Sequence, residues 1–323
     1  MDRRRAGLGA QGVIVAVTGG SGFIGRRLVA EHLARGDRVR VLTRRERVEG
    51  CAAAALYRGD LGDPGNEAAS LEAFVDGADV LYHCAGEIRD PVRMQAVHVQ
   101  GSARLLRCAR GRVGRWVQLS SVGAYGPRRS GEITEATPSQ PAGSYETTKV
   151  ESDRLVQDSG LAYSILRPAI VFGAGMTNRS LYQMIAMIDR GLFCFVGPEG
   201  ASANYVHVDN VVQALTLCAV RPEAPGRVYN LSDHCSMERF VALIAGALGK
   251  SEPRLRLPEA FMRACAGVLG RLPGFPLTPA RIDALTNRCS YPITRICREL
   301  GYSHRVSMQQ GMEELVGAWK SAR

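Results

Sequence analysis

Val13-Ile14-Val15-Ala16-Val17-Thr18-Gly19-Gly20-Ser21-Gly22-Phe23-Ile24-Gly25 passes from a largely β-branched run straight into glycines, then into a period that sets Ile24, Leu28, Val29 and Leu33 on one face. That succession predicts a strand, a tight turn and a helix. The glycines at 19, 22 and 25 have separate physical tasks. Gly19 permits the sharp turn, Gly22 lets a pyrophosphate approach the backbone without a Cβ in the way, and Gly25 lets the helix pack close to the sheet. Unpaired N–H groups at the helix start then face the phosphates. The stretch reads as the first unit of a dinucleotide-binding fold.

Working outward, Gly36 is a plausible stop for this helix and Arg38-Val39-Arg40-Val41-Leu42-Thr43 reads as a second strand. Further strands are expected at Asp79 to Cys84, ending at Ala85-Gly86, at Trp116 to Ser121 and at Ala162 to Arg167. Strands alternating with helices imply right-handed crossovers and an α/β fold with a Rossmann-type, doubly wound parallel sheet. Ligands in such sheets sit beyond the C-terminal strand ends, where Ser121 and Pro168 fall. From about Met176 proline and glycine punctuate the pattern. We therefore expect a dinucleotide-binding domain over 1–175, with 205–228 returning to it, and a smaller C-terminal α/β region over 176–323 that mainly binds substrate. Asn204 to Asp209 and Val228 to Leu231 are both expected to rejoin the sheet.

A chain of 323 residues, 46% hydrophobic and 22% charged, has the composition of an ordinary globular enzyme. The net charge of +10 is mostly dispersed, the densest patches being Arg3-Arg4-Arg5, Arg44-Arg45-Glu46-Arg47 and Arg128-Arg129. No basic helix interleaved with aromatics occurs, so nucleic acid is not an expected partner; a positive field suits anionic cofactors and substrates. The nine cysteines are scattered, without Cys-x-x-Cys or zinc-like spacing. They read as reduced thiols of a cytoplasmic protein without a metal. No signal-peptide pattern or long apolar span is expected to anchor the chain. The stretch from Ala260 to Leu277 is broken by Arg263, Arg271, Pro273 and Pro276 and reads as core or lid packing.

Tyr145 and Lys149 are four residues apart on a predicted helix, hence on one face. Lowering a phenol from about 10 to about 7 takes roughly 4 kcal/mol, which one cation at about 4 Å supplies at an effective dielectric near 20. Lys149, helped by a positively charged nicotinamide, could thus make Tyr145 a usable proton donor and acceptor, and Ser121 at a strand end could hold a carbonyl or alcohol beside it. After the second strand stand Thr43-Arg44-Arg45. An arginine there can grip a 2′-phosphate, so NADP(H) is the favoured cofactor and NAD(H) the other possibility, with Arg44 the main contact and Arg45 its support.

Taken together, Thr18 to Gly25, Gly59-Asp60-Leu61, His83-Cys84-Ala85-Gly86, Ser121, the Tyr145/Lys149 pair and Leu166-Arg167-Pro168 resemble the extended short-chain dehydrogenase/reductases of the epimerase and dehydratase branch. The resemblance runs from Val13 to about Trp319. It implies a catalytic triad of Ser121, Tyr145 and Lys149, and hydride transfer at C4 of a nicotinamide. It implies cofactor contacts from Gly19, Gly22, Phe23, Ile24, Gly25, Asp60, Leu61, Cys84, Ala85, Gly86, Tyr145, Lys149 and Pro168. Where the family often has Asn-Val-x-Gly-Thr, this chain has His98-Val99-Gln100-Gly101-Ser102; His98 either takes the polar role or packs, and packing is expected. Val122 and Gly123 follow Ser121 in place of the acidic pair of the dehydratases, so elimination of water is not expected.

Nucleotide-sugar members typically carry an arginine before a strand that here reads Ala203-Asn204-Tyr205-Val206-His207-Val208-Asp209, a form similar to 3β-hydroxysteroid dehydrogenase relatives. Arg179, Arg254, Arg256 and Arg281 remain for a pyrophosphate, so a keto nucleotide sugar is the first expectation. A hydrophobic alcohol or ketone lined by Phe193, Phe195, Phe261, Met262 and Leu269 is the second. An NADP-selective site suits a net reductase more than an epimerase. A non-catalytic NADP(H)-sensing regulator is the alternative from another class. Family members commonly form homodimers through the helix that bears the tyrosine.

Overall fold

Strands covered by helices on both faces must be apolar throughout, and Val15, Ala16, Val17, Val41, Leu81, Val117 and Leu166 are all fully buried. The computed structural model describes residues 12–65, 68–269 and 278–322. Its central sheet has seven strands: β1 (Ile14–Thr18), β2 (Arg38–Thr43), β3 (Ala55–Arg58), β4 (Val80–His83), β5 (Arg115–Leu119), β6 (Tyr163–Pro168) and β7 (Arg227–Leu231). Their order is β7-β6-β5-β4-β1-β2-β3, and every pairing is parallel. Val15 lies between Val39 of β2 and Val80 of β4. The chain winds outward from β1 through β2 to β3, then returns to lay β4 on the other side of β1. The strand order reverses there, and a crevice opens above the β1 and β4 ends.

Side-chain alternation divides the core. Val15, Val17, Val39, Val41, Tyr82 and Val117 pack with the helix Val208–Val220 on one face, whereas Ala16, Leu42, Leu81, Trp116 and Ile165 pack on the other. A third apolar cluster joins Phe172, Ile185, Phe240, Ile244, Met312 and Leu315 in the C-terminal half.

The helix that follows the glycines spans Phe23–Ala34, and Gly36 has a φ of +80°, a left-handed turn just beyond its end. The helix bearing Tyr145 spans Ser144–Gln157. Its first turn is closed by Glu146, whose Oε2 accepts from the amides of Ala142 at 2.8 Å and Gly143 at 3.1 Å.

Two features depart from expectation. β3 is a short edge strand with no fully buried position, so it lacks the apolar run by which the inner strands announce themselves. Ser202–His207 does not rejoin the central sheet. It pairs in parallel with Ile170–Phe172 and antiparallel with Asp233–Ser236 in a separate three-stranded sheet. The outer edge of β6 is already taken by β7, from Arg227↔Ser164 to Leu231↔Pro168, and the chain bends after Pro168 to start the second sheet.

Among the described residues no helix is long and apolar enough to cross a membrane, and no three His, Cys, Asp or Glu side chains cluster to hold a metal. Arg3-Arg4-Arg5, Arg271, Pro273 and Pro276 lie outside the described residues, as does the side chain of Leu269.

Candidate active site

The three glycines of the first turn are bare for different reasons. Gly19 has a φ of +69°, and a Cβ there would stand 2.6 Å from the Ala85 amide nitrogen; a Cβ on Gly25 would stand 2.2 Å from the Gly19 carbonyl oxygen. Both are demanded by the fold. Gly22 has ordinary extended backbone, φ −79° and ψ 173°, and a Cβ would meet only the Gly19 oxygen at 3.2 Å. The space it leaves opens into the crevice, which is what close approach by a pyrophosphate requires.

The crevice has a cavity of about 210 Å³ walled by Thr18, Thr43, Arg44, Arg45, Asp60 and Leu61. Through Gly19, Gly22, Cys84, Ala85 and Gly86 it runs into a second cavity of about 580 Å³. The latter is lined by Phe23, Ile24, Gly25, Ser121, Tyr145, Lys149 and Pro168. Every catalytic and cofactor-binding residue expected from the sequence thus stands in the wall of one continuous crevice, and the residues present fit a dinucleotide.

At its outer end Asp60 receives the Gly62 amide at 2.8 Å and the Arg93 guanidinium at 3.2 Å, with Arg44 at 3.6 Å. Burial by itself would raise this carboxyl; the amide and the two arginines outweigh it and hold the group below the usual carboxylate range. Arg44 remains 64% exposed, so most of its guanidinium faces the open crevice. Arg45 is oriented by its own amide, which donates to Thr43 Oγ1 at 3.1 Å.

Ser121 follows β5 and caps the short turn Val122–Tyr125, its Oγ accepting from the Gly123 amide at 3.1 Å. The Ser121 and Tyr145 side chains line the same cavity. Lys149 is buried and donates from Nζ to the Leu119 carbonyl at 2.6 Å. Burial pushes the Tyr145 phenol above its ordinary value, and the Ser121 hydroxyl only partly opposes it. Burial lowers the Lys149 ammonium, with Asp153 one helical turn away working against that shift. The ammonium is held by a strand carbonyl and offset by a carboxylate.

The residues that sequence reasoning missed form the second layer. Residues Gln95–Gly101 make a π-helical turn, a form often found at functional sites. It places His98 against the edge of the Tyr145 ring, with centroids 5.8 Å apart. The Glu87 amide donates to His98 Nε2 at 2.8 Å, so the proton of the neutral ring is on Nδ1, 2.9 Å from Thr148 Oγ1. Thr148 in turn donates to the Ser144 or Tyr145 carbonyl, at 2.9 and 3.1 Å. Burial lowers His98 to about 4, keeping the ring neutral. Its expected role as packing is corrected: it is buried, but it ties the crevice loop at Glu87 to the helix of Tyr145.

A parallel chain lies deeper. The Ala85 amide donates to Thr18 Oγ1 at 3.2 Å, Thr18 meets His83 Nδ1 at 2.7 Å, and His83 Nε2 meets Ser102 Oγ at 2.8 Å. Beneath Ser121, Ser120 and Arg167 both donate to Asp153 Oδ2, at 2.8 and 3.0 Å. The Arg167 guanidinium also lies 4.8 Å from the centre of the Tyr125 ring.

The side chains expected to hold substrate are more dispersed. Arg256 donates to Glu238 at 2.8 Å and to the Gly197 carbonyl at 2.9 Å, and stands over the Phe195 ring. Met262 packs with Val196, Ala266 and Ile282, while Phe261 is 56% exposed. Phe193 and Arg281 line a separate groove, and Arg179 and Arg254 are exposed.

A family model described as "NAD dependent epimerase/dehydratase family" matches residues 15–232. The chain is 30% identical over 319 residues to 4-hydroxy-2-methyl-3-oxo-4-farnesyl-3,4-dihydroquinoline-1-oxide ketoreductase of Stigmatella aurantiaca, covering 93% of this chain and 94% of the relative. It is 32% identical over 267 residues to sterol demethylase protein B of Methylococcus capsulatus, covering 77% and 79%. With 3 beta-hydroxysteroid dehydrogenase/Delta 5-->4-isomerase of Mycobacterium tuberculosis it shares 28% over 333 residues, covering 93% and 88%. The crystal structure of UDP-glucuronic acid 4-epimerase from Bacillus cereus in complex with NAD superposes with a TM-score of 0.73 over 96% of this chain and 99% of that one, at 17% identity, a likeness of fold.

Proposed function

The chain belongs to the NAD-dependent epimerase/dehydratase family of oxidoreductases, and from that premise we propose that it is an NADP(H)-dependent reductase of an apolar ketone. The observation that carries this is the convergence of Ser121, Tyr145 and Lys149 in the wall of one cavity, where the glycine-lined crevice opens between Ile88, Pro168, Ala169, Ile170 and Val171. A nicotinamide bound in the crevice supplies the hydride. Ser121 holds the substrate oxygen and Tyr145 donates the proton. A phenol raised by burial is protonated at neutral pH, which suits donation to a nascent alkoxide and hence the direction of reduction. Lys149, fixed by the Leu119 carbonyl, is placed to hold ribose hydroxyls and to offset the phenolate left behind.

An apolar substrate is favoured over the nucleotide sugar because Arg256 is already committed to Glu238 and aliphatic side chains wall the cavity beyond Tyr145. The names of the relatives from Stigmatella aurantiaca and Mycobacterium tuberculosis, a ketoreductase and a hydroxysteroid dehydrogenase, point the same way. In this reading 176–323 serves mainly to bind substrate, and the helix Ser144–Gln157 also forms a homodimer interface.

The test follows NADPH oxidation with apolar ketones and keto nucleotide sugars side by side, and compares Tyr145→Phe. We expect turnover of ketones, a loss of about 10²- to 10⁴-fold in kcat for the variant, and unchanged NADPH affinity. Interconversion of sugar isomers without net oxidation would overturn the reading.

A further inference from the structure

Beside the catalytic cavity lies a second concavity of about 190 Å³. It is walled by Met184 and Met187 of the helix Arg179–Asp189, Leu192 and Phe193 of the turn after it, Tyr205, and Leu285 of the helix Pro279–Thr286. The three-stranded sheet fixes its place. Ile170 lines the catalytic cavity and Tyr205 the groove, and the two are paired on neighbouring strands, so their side chains stand on the same face. Asn178, also in the cavity wall, caps the helix by accepting from the Ser180 amide at 2.9 Å, and Ser180 lines the groove. The groove lies next to the cavity across the Ile170–Tyr205 pair.

Its wall is mostly apolar. Arg281 at the rim is engaged with the Gln183 carboxamide. The Cys194 thiol is raised by burial and stays neutral. The Tyr205 ring is stacked on Phe240 with centroids 4.3 Å apart. Leu192, at the mouth, is 61% exposed, an apolar surface that water covers at a cost unless something else does. Two methionines give the wall a polarizable lining that adapts to an irregular chain.

We infer that this groove is the subsite for an extended hydrocarbon chain attached to the ketone whose carbonyl lies between Ser121 and Tyr145. The inference rests on the ketone-reductase reading and narrows its substrate class to ketones with a long aliphatic or prenyl-like tail. The carbonyl end is fixed by the two hydroxyls, and chain length is sensed by Met184, Met187 and Leu285.

The experiment measures kcat/KM with NADPH for the methyl ketones from butan-2-one to undecan-2-one, and calorimetric binding of undecan-2-ol in the presence of NADP⁺. For the wild type kcat/KM should rise by up to about fourfold per added methylene until the groove is full. Met184→Glu, which sets a carboxylate in the groove wall away from the catalytic hydroxyls, should flatten that rise and leave butan-2-one unaffected; Met187→Gln serves if the first variant does not fold. Reduction of butan-2-one with no dependence on chain length, or an equal dependence in the variant, overturns the subsite and leaves the reductase standing. Undecan-2-ol bound at least about tenfold more tightly by the wild type than by Met184→Glu, with no ketone reduced, supports the groove and overturns the reductase. Equal binding by the two proteins overturns the groove whatever the turnover.

Discussion

In the proposed reading the preference for NADP(H) rests on Arg44, whose partly exposed guanidinium lies 3.6 Å from Asp60. A charged hydrogen bond to a 2′-phosphate contributes about 1.5–3 kcal/mol. Arg44→Ala is therefore expected to cost about ten- to a hundredfold in selectivity for NADPH over NADH, read as a ratio of dissociation constants, and an unchanged ratio would show that Arg44 is a solvated turn residue. His98 acts through its two hydrogen bonds and its edge contact with the Tyr145 ring. Its removal leaves the half-buried Glu87 amide without its partner and takes from Thr148 the bond it accepts, while Thr148 keeps its own bond to the Ser144 or Tyr145 carbonyl; an unsatisfied group of this kind costs about 1–3 kcal/mol. His98→Ala should lower stability by about 2 kcal/mol in urea unfolding and reduce kcat more than NADPH affinity, because the Tyr145 helix loses its tie to the crevice. Little of this layer is legible in the chain. Thr18 and His83 are 65 residues apart and His98 and Thr148 are 50 apart, so no local pattern marks them as partners. Tyr145 and Lys149 are legible because a helix fixes their separation, whereas the phenol's raised value depends on burial, which spacing does not report.

The strand–turn–helix unit is legible for the opposite reason: apolar run, glycines and helical period all lie within about twenty residues and each has a local cause. Within it the glycines separate by function. Gly22→Ala adds a methyl that meets one oxygen at 3.2 Å in backbone that alanine adopts readily, whereas Gly25→Ala would drive its methyl to 2.2 Å from the Gly19 carbonyl. We expect Gly22→Ala to keep its thermal midpoint and lose dinucleotide affinity by about tenfold or more. Gly25→Ala should lose about 1–3 kcal/mol of stability as well. Differential scanning calorimetry with a cofactor titration distinguishes the two, and normal cofactor binding by Gly22→Ala would remove Gly22 from the pyrophosphate site. β3 escapes the sequence because an edge strand needs only half the burial of an inner one. The π-helical turn at Gln95–Gly101 escapes because its extra residue per turn leaves no signature in an apolar period.

At the scale of the whole molecule, burial keeps the His83 and His98 imidazoles neutral, and this bears on its behaviour in acid. Burial lowers His98 from 6.5 to about 4 and His83 from 6.5 to about 3. Between those values the unfolded chain binds protons that the folded one refuses. Stability is therefore complete above the ordinary imidazole value and falls as the pH drops through this window, at about 1.4 kcal/mol per pH unit for each ring. Urea unfolding from pH 7 to pH 4 should show that decline, with a shallower slope for His98→Ala; equal slopes would mean that the ring titrates alike in both states. The order β7-β6-β5-β4-β1-β2-β3 bears on how such a molecule is made. Synthesis delivers β1, β2 and β3 first, a sheet with β1 at one edge. Each later strand joins the edge then vacant, β4 on β1, β5 on β4, β6 on β5 and β7 on β6. No strand has to be inserted between two already paired, so the sheet can lengthen in step with the ribosome, and the crevice at β1 and β4 has both of its walls long before the C-terminal half emerges.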